Sequence, residues 1–261
     1  MMQFTANLSL LFTEQPLLQR FKAAKNSGFS AVEIQFPYEE TPEALQAELV
    51  KNGLKLILFN VAADDLLQGG EGLAAVPEKT QAFKQALAQT VEYINILKPE
   101  AVNVLPGCCH DPGRIDAYLS TFKSNLSLAV TTLAPLGVKT VFEAINTFDM
   151  PGFIIHSGKH MLEIMAELDH PDLSMQYDIY HMQRMGENVA GFIRLNGNKI
   201  GHIQFADCPG RGQPGTGDID FIKVFSAISE SGYSGWVGAE YRPVPSTLVS
   251  LDWLDHNQKC R

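Results

Sequence analysis

At 261 residues, with 45% hydrophobic and 19% charged side chains, the chain has the size and composition of a large α/β domain with a full core. Its net charge of −9, with no Lys/Arg run of five or more, argues against a nucleic-acid face. No stretch approaches 18 uncharged apolar residues, so no membrane span is expected.

In chain order, Met1-Met2-Gln3-Phe4 lacks the basic-then-apolar profile of a secretion signal and reads as the approach to a first strand at 4–8. One phrase then recurs: a helix closes, often at glycine, and an apolar β-branched run follows. Gly28, Gly53, Gly137, Gly197 and Gly232 each stand before such a run, as the left-handed residues that close helices. Lys98-Pro99 and His170-Pro171 stop helices in another way, because proline cannot continue them. Counting the runs predicts eight strands near 4–8, 31–36, 54–60, 101–105, 140–145, 174–179, 200–206 and 236–241. Amphipathic helices lie between them, most clearly at 78–97 and 113–134. Eight β–α units predict a (β/α)8 TIM barrel spanning residues 1–261 as one domain. An open doubly wound sheet is the alternative. The count of eight, and the lack of a Gly-x-Gly-x-x-Gly turn after the first strand, favour the barrel.

Cys108, Cys109, Cys208 and Cys260 make neither a disulfide framework nor a zinc motif in a chain this long, so reduced thiols and a cytoplasmic protein are expected.

In a TIM barrel the C-terminal strand ends carry the chemistry. Asn7, Glu33, Asn60, Asn103, Glu143, Asp178, Gln204 and Glu240 all fall there. A buried lone carboxylate costs several kcal/mol. One cation held by Glu143, Asp178, Gln204 and Glu240, spaced 35, 26 and 36 residues apart, would remove that cost. Three carboxylates and an amide oxygen are hard donors, so the expected ion is Mg²⁺, with Mn²⁺ as the alternative. His181, three residues past Asp178, is placed beside the ion, as a hydrogen-bond partner for a substrate oxygen. His202 is a deeper core histidine, or else the ligand in place of Gln204. The loop 207–218 reads as a mobile flap, with Asp218 capping the next helix; its glycines are a weak phosphate signal without a Walker lysine. Arg211 in that loop suits a substrate carboxylate, and Arg242 is the next candidate for the role. Glu14 and His110 read as plain loop residues.

These pieces resemble the hydroxypyruvate isomerase family of xylose isomerase-like barrels. The resemblance rests on Ala6-Asn7-Leu8-Ser9, Phe12-Thr13-Glu14, Gly28-Phe29-Ser30-Ala31-Val32-Glu33, Phe59-Asn60 and Glu143-Ala144-Ile145-Asn146. Asp178-Ile179-Tyr180-His181, Pro209-Gly210-Arg211 and the run from Gly232 to Tyr241 extend it over nearly the whole chain. It implies that Glu143 and Glu240 are the acid/base pair as well as metal ligands, and that Asp178 and Gln204 complete the site. Sugar epimerases of the wider superfamily usually carry histidine where Gln204 stands. The implied reaction interconverts hydroxypyruvate and tartronate semialdehyde through a cis-enediolate, with a small 2-oxo acid as the partner molecule. A four-carbon 2-oxo acid or a keto sugar in the same site is the alternative. An apurinic-site endonuclease shares the barrel, but seven scattered histidines and a charge of −9 do not suit it.

Overall fold

The structure, a computed structural model, describes residues 2–254. Eight parallel strands close into a barrel in sequence order: β1 (Gln3–Asn7), β2 (Ala31–Ile34), β3 (Lys55–Asn60), β4 (Ala101–Val104), β5 (Lys139–Glu143), β6 (Leu173–Asp178), β7 (Ile200–Phe205) and β8 (Trp236–Ala239). All eight predicted strands are present, each within two residues of its predicted ends. Most strand positions are buried on both faces, as parallel strands sheathed by helices must be.

The helices are α1 (Leu17–Asn26), α2 (Pro42–Asn52), α3 (Thr80–Leu97), α4 (Ile115–Leu133), α5 (Gly158–Leu168), α6 (Ile179–Arg184), α7 (Val189–Asn196) and α8 (Phe221–Glu230). The two clearest periodic stretches are α3 and α4, each led in by a 3₁₀ turn at a proline, Pro77–Lys79 and Pro112–Arg114. Helix α3 seats Phe83, Leu87 and Ile94 against the sheet, and α4 does the same with Phe122, Leu126 and Leu133. No helix among the described residues is long and apolar enough to cross a membrane.

Two local expectations change. Gly197 is not left-handed: its φ is −54°, in a 3₁₀ turn, and a Cβ there would lie 2.5 Å from the Ser231 side chain, so close approach is what demands glycine. Both proline stops hold: α3 and α5 end at Leu97 and Leu168, with left-handed Lys98 and Asp169 next and Pro99 and Pro171 just beyond. The residue capping α8 is Asp220, which accepts from Lys223 N at 3.0 Å, rather than Asp218. Cys108, Cys109 and Cys208 are buried free thiols; Cys260 lies outside the described residues.

Candidate active site at the C-terminal mouth of the barrel

Strand register builds a polar layer across the mouth. Asn7 pairs with Glu33, Asn60 with Asn103, Glu143 with Gln176 and Asp178 with Gln204. Side chains alternate along a strand, so the inward-facing residue at the carboxyl end of each one contributes to the same ring. Above the ring lies a cavity of about 510 Å³ whose wall includes Glu143, Gln176, His181, Arg211, Glu240 and Arg242.

Glu143 ends β5 and is buried. Its Oε2 accepts from Asn103 Nδ2 at 3.1 Å and Gln176 Nε2 at 2.8 Å. Asp178 ends β6, and its Oδ1 accepts from Tyr180 N at 2.7 Å and His181 N at 3.4 Å, capping α6. The other oxygen, Oδ2, lies 3.5 Å from His181 Nε2 and 3.9 Å from Arg211 Nη2. Ligand atoms of Glu143, Asp178 and His181 all fall within 4.8 Å of one another, the one such His/Cys/Asp/Glu group among the described residues.

Glu240 sits one residue past β8. Its Oε1 accepts from Asn7 Nδ2 at 2.8 Å, Gln35 Nε2 at 2.9 Å and Gln204 Nε2 at 3.2 Å, and its Oε2 from Arg211 Nη2 at 2.5 Å. Gln204 on β7 is 1% exposed and turned inward. Its Oε1 accepts from Gln176 Nε2 at 2.6 Å while its Nε2 also donates to Glu33 Oε1 at 2.6 Å. His202 lies one layer deeper, with Nε2 2.7 Å from Glu33 Oε2, the place expected of a core histidine. Gly238 lets that carboxylate in: a Cβ there would lie 2.5 Å from Glu33 Oε2.

The electrostatics are those of too many acids for one base. Burial, then the Glu240 and Asp178 carboxylates, raises Glu143 well above the ordinary glutamate range. Burial lifts Asp178 to about 7 against the opposing pull of Arg211. Burial also raises Glu240, again with Arg211 opposing and Glu33 adding to the rise. Burial alone would lower the Arg211 guanidinium, but Glu240, Asp178 and Glu143 together more than reverse this. His181 is pushed well below the ordinary histidine value, first by burial and then by Arg211, which favours the neutral ring.

This arrangement fits a hard divalent ion. The buried carboxylates of Glu143, Asp178 and Glu240 have a single guanidinium among them, and the buried oxygens Asn60 Oδ1, Asn103 Oδ1 and Gln176 Oε1 have no hydrogen-bond partner. The donor atoms are oxygens, as Mg²⁺ and Mn²⁺ prefer.

The loop after β7 is organised by a residue that the sequence reading passed over. Asp207 is fully buried, and its carboxylate accepts four backbone N–H groups: Cys208 at 2.9 Å, Gly215 at 2.8 Å, Gly217 at 2.9 Å and Ile219 at 3.1 Å. Those amides are therefore spent on a side chain, not offered to a phosphate, and the expected flap is pinned at its base. The pinned loop presents Arg211 over the Tyr180 ring, 5.2 Å from its centroid, with Nε unpartnered. Arg242 is exposed on the cavity wall. Glu14 accepts from Thr247 N at 2.8 Å and only tethers a loop, and exposed His110 is likewise a loop residue.

Gln176, Asn146 and Asp149 were also missed. Gln176 shares the parity of Asp178 two residues on, so strict strand alternation would have found it. Asn146 and Asp149 lie in the loop after β5, where periodicity is silent.

The comparisons with known proteins agree with this architecture. The profile of the xylose isomerase-like TIM barrels matches residues 21–256. Hydroxypyruvate isomerase of Escherichia coli is 37% identical over 98% of this chain and 99% of its own. A 2-oxo-tetronate isomerase of Pectobacterium atrosepticum is 36% identical, with 98% and 97% covered. A Brucella melitensis crystal structure named AP endonuclease, family 2, superposes with a TM-score of 0.93 at 32% identity, covering 98% and 99%. The chain belongs to the hydroxypyruvate isomerase family, a family of isomerases built on the xylose isomerase-like TIM barrel.

Proposed function

We propose that the protein is a metal-dependent isomerase of small 2-oxo acids, interconverting hydroxypyruvate and tartronate semialdehyde. The observation that carries this reading is the pair of buried glutamates, Glu143 and Glu240, both lining one cavity and each with a raised proton affinity. Moving a proton between adjacent carbons needs two such groups: one takes the C3 proton and the other delivers a proton to C2, while the hydroxyl and carbonyl oxygens exchange roles through an enediolate. Glu143, Asp178, Gln204 and Glu240 are the residues that would hold the ion. When bound, a divalent ion supplies Lewis-acid stabilisation of negative charge on the substrate oxygens. His181, in the cavity wall, donates to a substrate oxygen. Arg211, with an unpartnered Nε, offers the substrate carboxylate a charged donor, and Arg242 adds a second cation at the mouth.

A four-carbon 2-oxo acid is the second reading. A cavity of about 510 Å³ has room well beyond a three-carbon acid, and several relatives are named 2-oxo-tetronate isomerase. The endonuclease name of the Brucella structure is not favoured: an acid-lined cavity on a chain of net charge −9 repels a polyanion.

The test is proton exchange followed by NMR in D₂O, with hydroxypyruvate, a 2-oxo-tetronate and a neutral ketose as substrates. Mg²⁺-dependent deuterium incorporation into a 2-oxo acid, lost on chelation, is expected. Exchange in the ketose alone, or in none of the three, overturns the proposal.

A further inference from the structure

The geometry around Asn146 points to a role for it as a positioning residue: we infer that it fixes His181 in the neutral tautomer with the proton on Nε2, aimed into the cavity. The orientation of the Asn146 amide is set by three groups of two neighbours, Phe148 and Asp149. Its Oδ1 accepts from Phe148 N at 3.1 Å and Asp149 N at 2.8 Å, and its Nδ2 faces the Asp149 carboxylate Oδ2 at 3.1 Å. Turning the amide over would set its oxygen against that carboxylate and its NH₂ against two N–H groups. The remaining Nδ2 hydrogen therefore points at His181 Nδ1, 2.7 Å away, and the Asn146 backbone N–H approaches the same nitrogen at 3.4 Å.

Two donors on Nδ1 leave it no room for a proton, so in this setting the imidazole proton sits on Nε2. That nitrogen faces acceptors: Asp178 Oδ2 at 3.5 Å and Glu143 Oε1 at 3.9 Å. Both ends of the ring agree.

The consequence separates two roles that distance alone does not. His181 stands close enough to Glu143 and Asp178 to be counted with them as a ligand. A protonated Nε2 has no lone pair to offer an ion. It is a donor, suited to an oxygen of the substrate, and ligation is left to the oxygen groups. The kinetic part of the inference rests on the proposed isomerase reaction; the tautomer does not.

The experiment is two-bond ¹H–¹⁵N NMR on the full chain with ¹⁵N-labelled histidine, loaded with diamagnetic Mg²⁺. The His181 signals are assigned by their loss in His181→Gln. The expected result is an unprotonated Nδ1 and a protonated Nε2; a proton on Nδ1, or on both nitrogens, overturns the inference. In Asn146→Asp an acceptor replaces the donor, and the proton is expected to move to Nδ1, with kcat falling about 10²-fold, the scale for losing one aligned donor. Asn146→Leu, which adds no charge beside Asp149, is expected to give a mixture of tautomers. An unchanged Nε2 proton in either variant overturns the role of Asn146. A wild-type protein with the stated tautomer but no exchange activity overturns the proposed reaction and leaves this inference standing.

Discussion

Arg211 is the guanidinium set against three buried carboxylates, so replacing it with methionine tests the electrostatic account directly. Its Nη2 lies 2.5 Å from Glu240 Oε2 and 3.9 Å from Asp178 Oδ2. At an effective permittivity of about 20 the longer contact alone is a gross attraction of about 4 kcal/mol. Part of that offsets the cost of burying the guanidinium. Removing one partner of a buried pair and leaving the other charged costs about 3–5 kcal/mol. For a chain of this size that lowers the melting temperature by roughly 6–10 °C. Methionine keeps most of the length of the aliphatic stem, which limits the packing lost with the guanidinium. The assay is thermal unfolding of chelated protein at pH 8, above the value of about 7 reached by Asp178. At pH 6, where the carboxylates take up protons, the deficit should shrink, and saturating Mg²⁺ should shrink it further at pH 8. A variant that melts within about 1 °C of wild type at pH 8 without metal would refute the reasoning.

Glu240→Gln keeps the volume and the Asn7 and Gln35 donors' partner oxygen but cannot accept a proton; kcat should fall by about 10²–10⁴-fold with the fold intact by circular dichroism. Near-normal turnover excludes Glu240 as an acid/base group. The raised carboxylates also predict how stability follows pH. At these three groups the folded chain binds more protons than the unfolded chain, outnumbering His181, which acts the other way, so metal-free protein should lose stability as pH rises from about 4.5 through 7. The gain from Mg²⁺ should grow over the same window, and a flat melting temperature without metal would contradict the raised values. Asp207→Asn replaces an acceptor of four backbone N–H groups by an amide with one acceptor oxygen. An uncompensated amide costs about 1–3 kcal/mol. Amide hydrogen exchange at Gly215 and Gly217 should quicken, and unchanged protection there would show that Asp207 does not pin the loop.

Much of this molecule was legible in the amino-acid sequence because the barrel repeats one physical rule. Every strand after the first is a short apolar run that follows a helix stop, and each has a polar residue at or beside its carboxyl end that burial makes conspicuous. Glu143, Asp178, Gln204 and Glu240 stood out for that reason, and strand register brings them to one mouth. The less legible features depend on contacts between loops. Nothing in the spacing of Asp207 reveals four backbone donors converging on it, and nothing in Asn146 reveals that it meets His181 from another loop. Helix stops misled at Gly197, where Ser231, 34 residues away, forbids a side chain.

The proposed function requires that oxygen atoms of Glu143, Asp178, Gln204 and Glu240 hold one divalent ion. Anomalous scattering from crystals soaked in Mn²⁺ tests it most directly. A single peak is expected at the barrel mouth, at about 2.1–2.2 Å from oxygens of those four residues, with no bond to His181 Nε2. A peak ligated by His181 or His202, or no peak between β5 and β8, would contradict it.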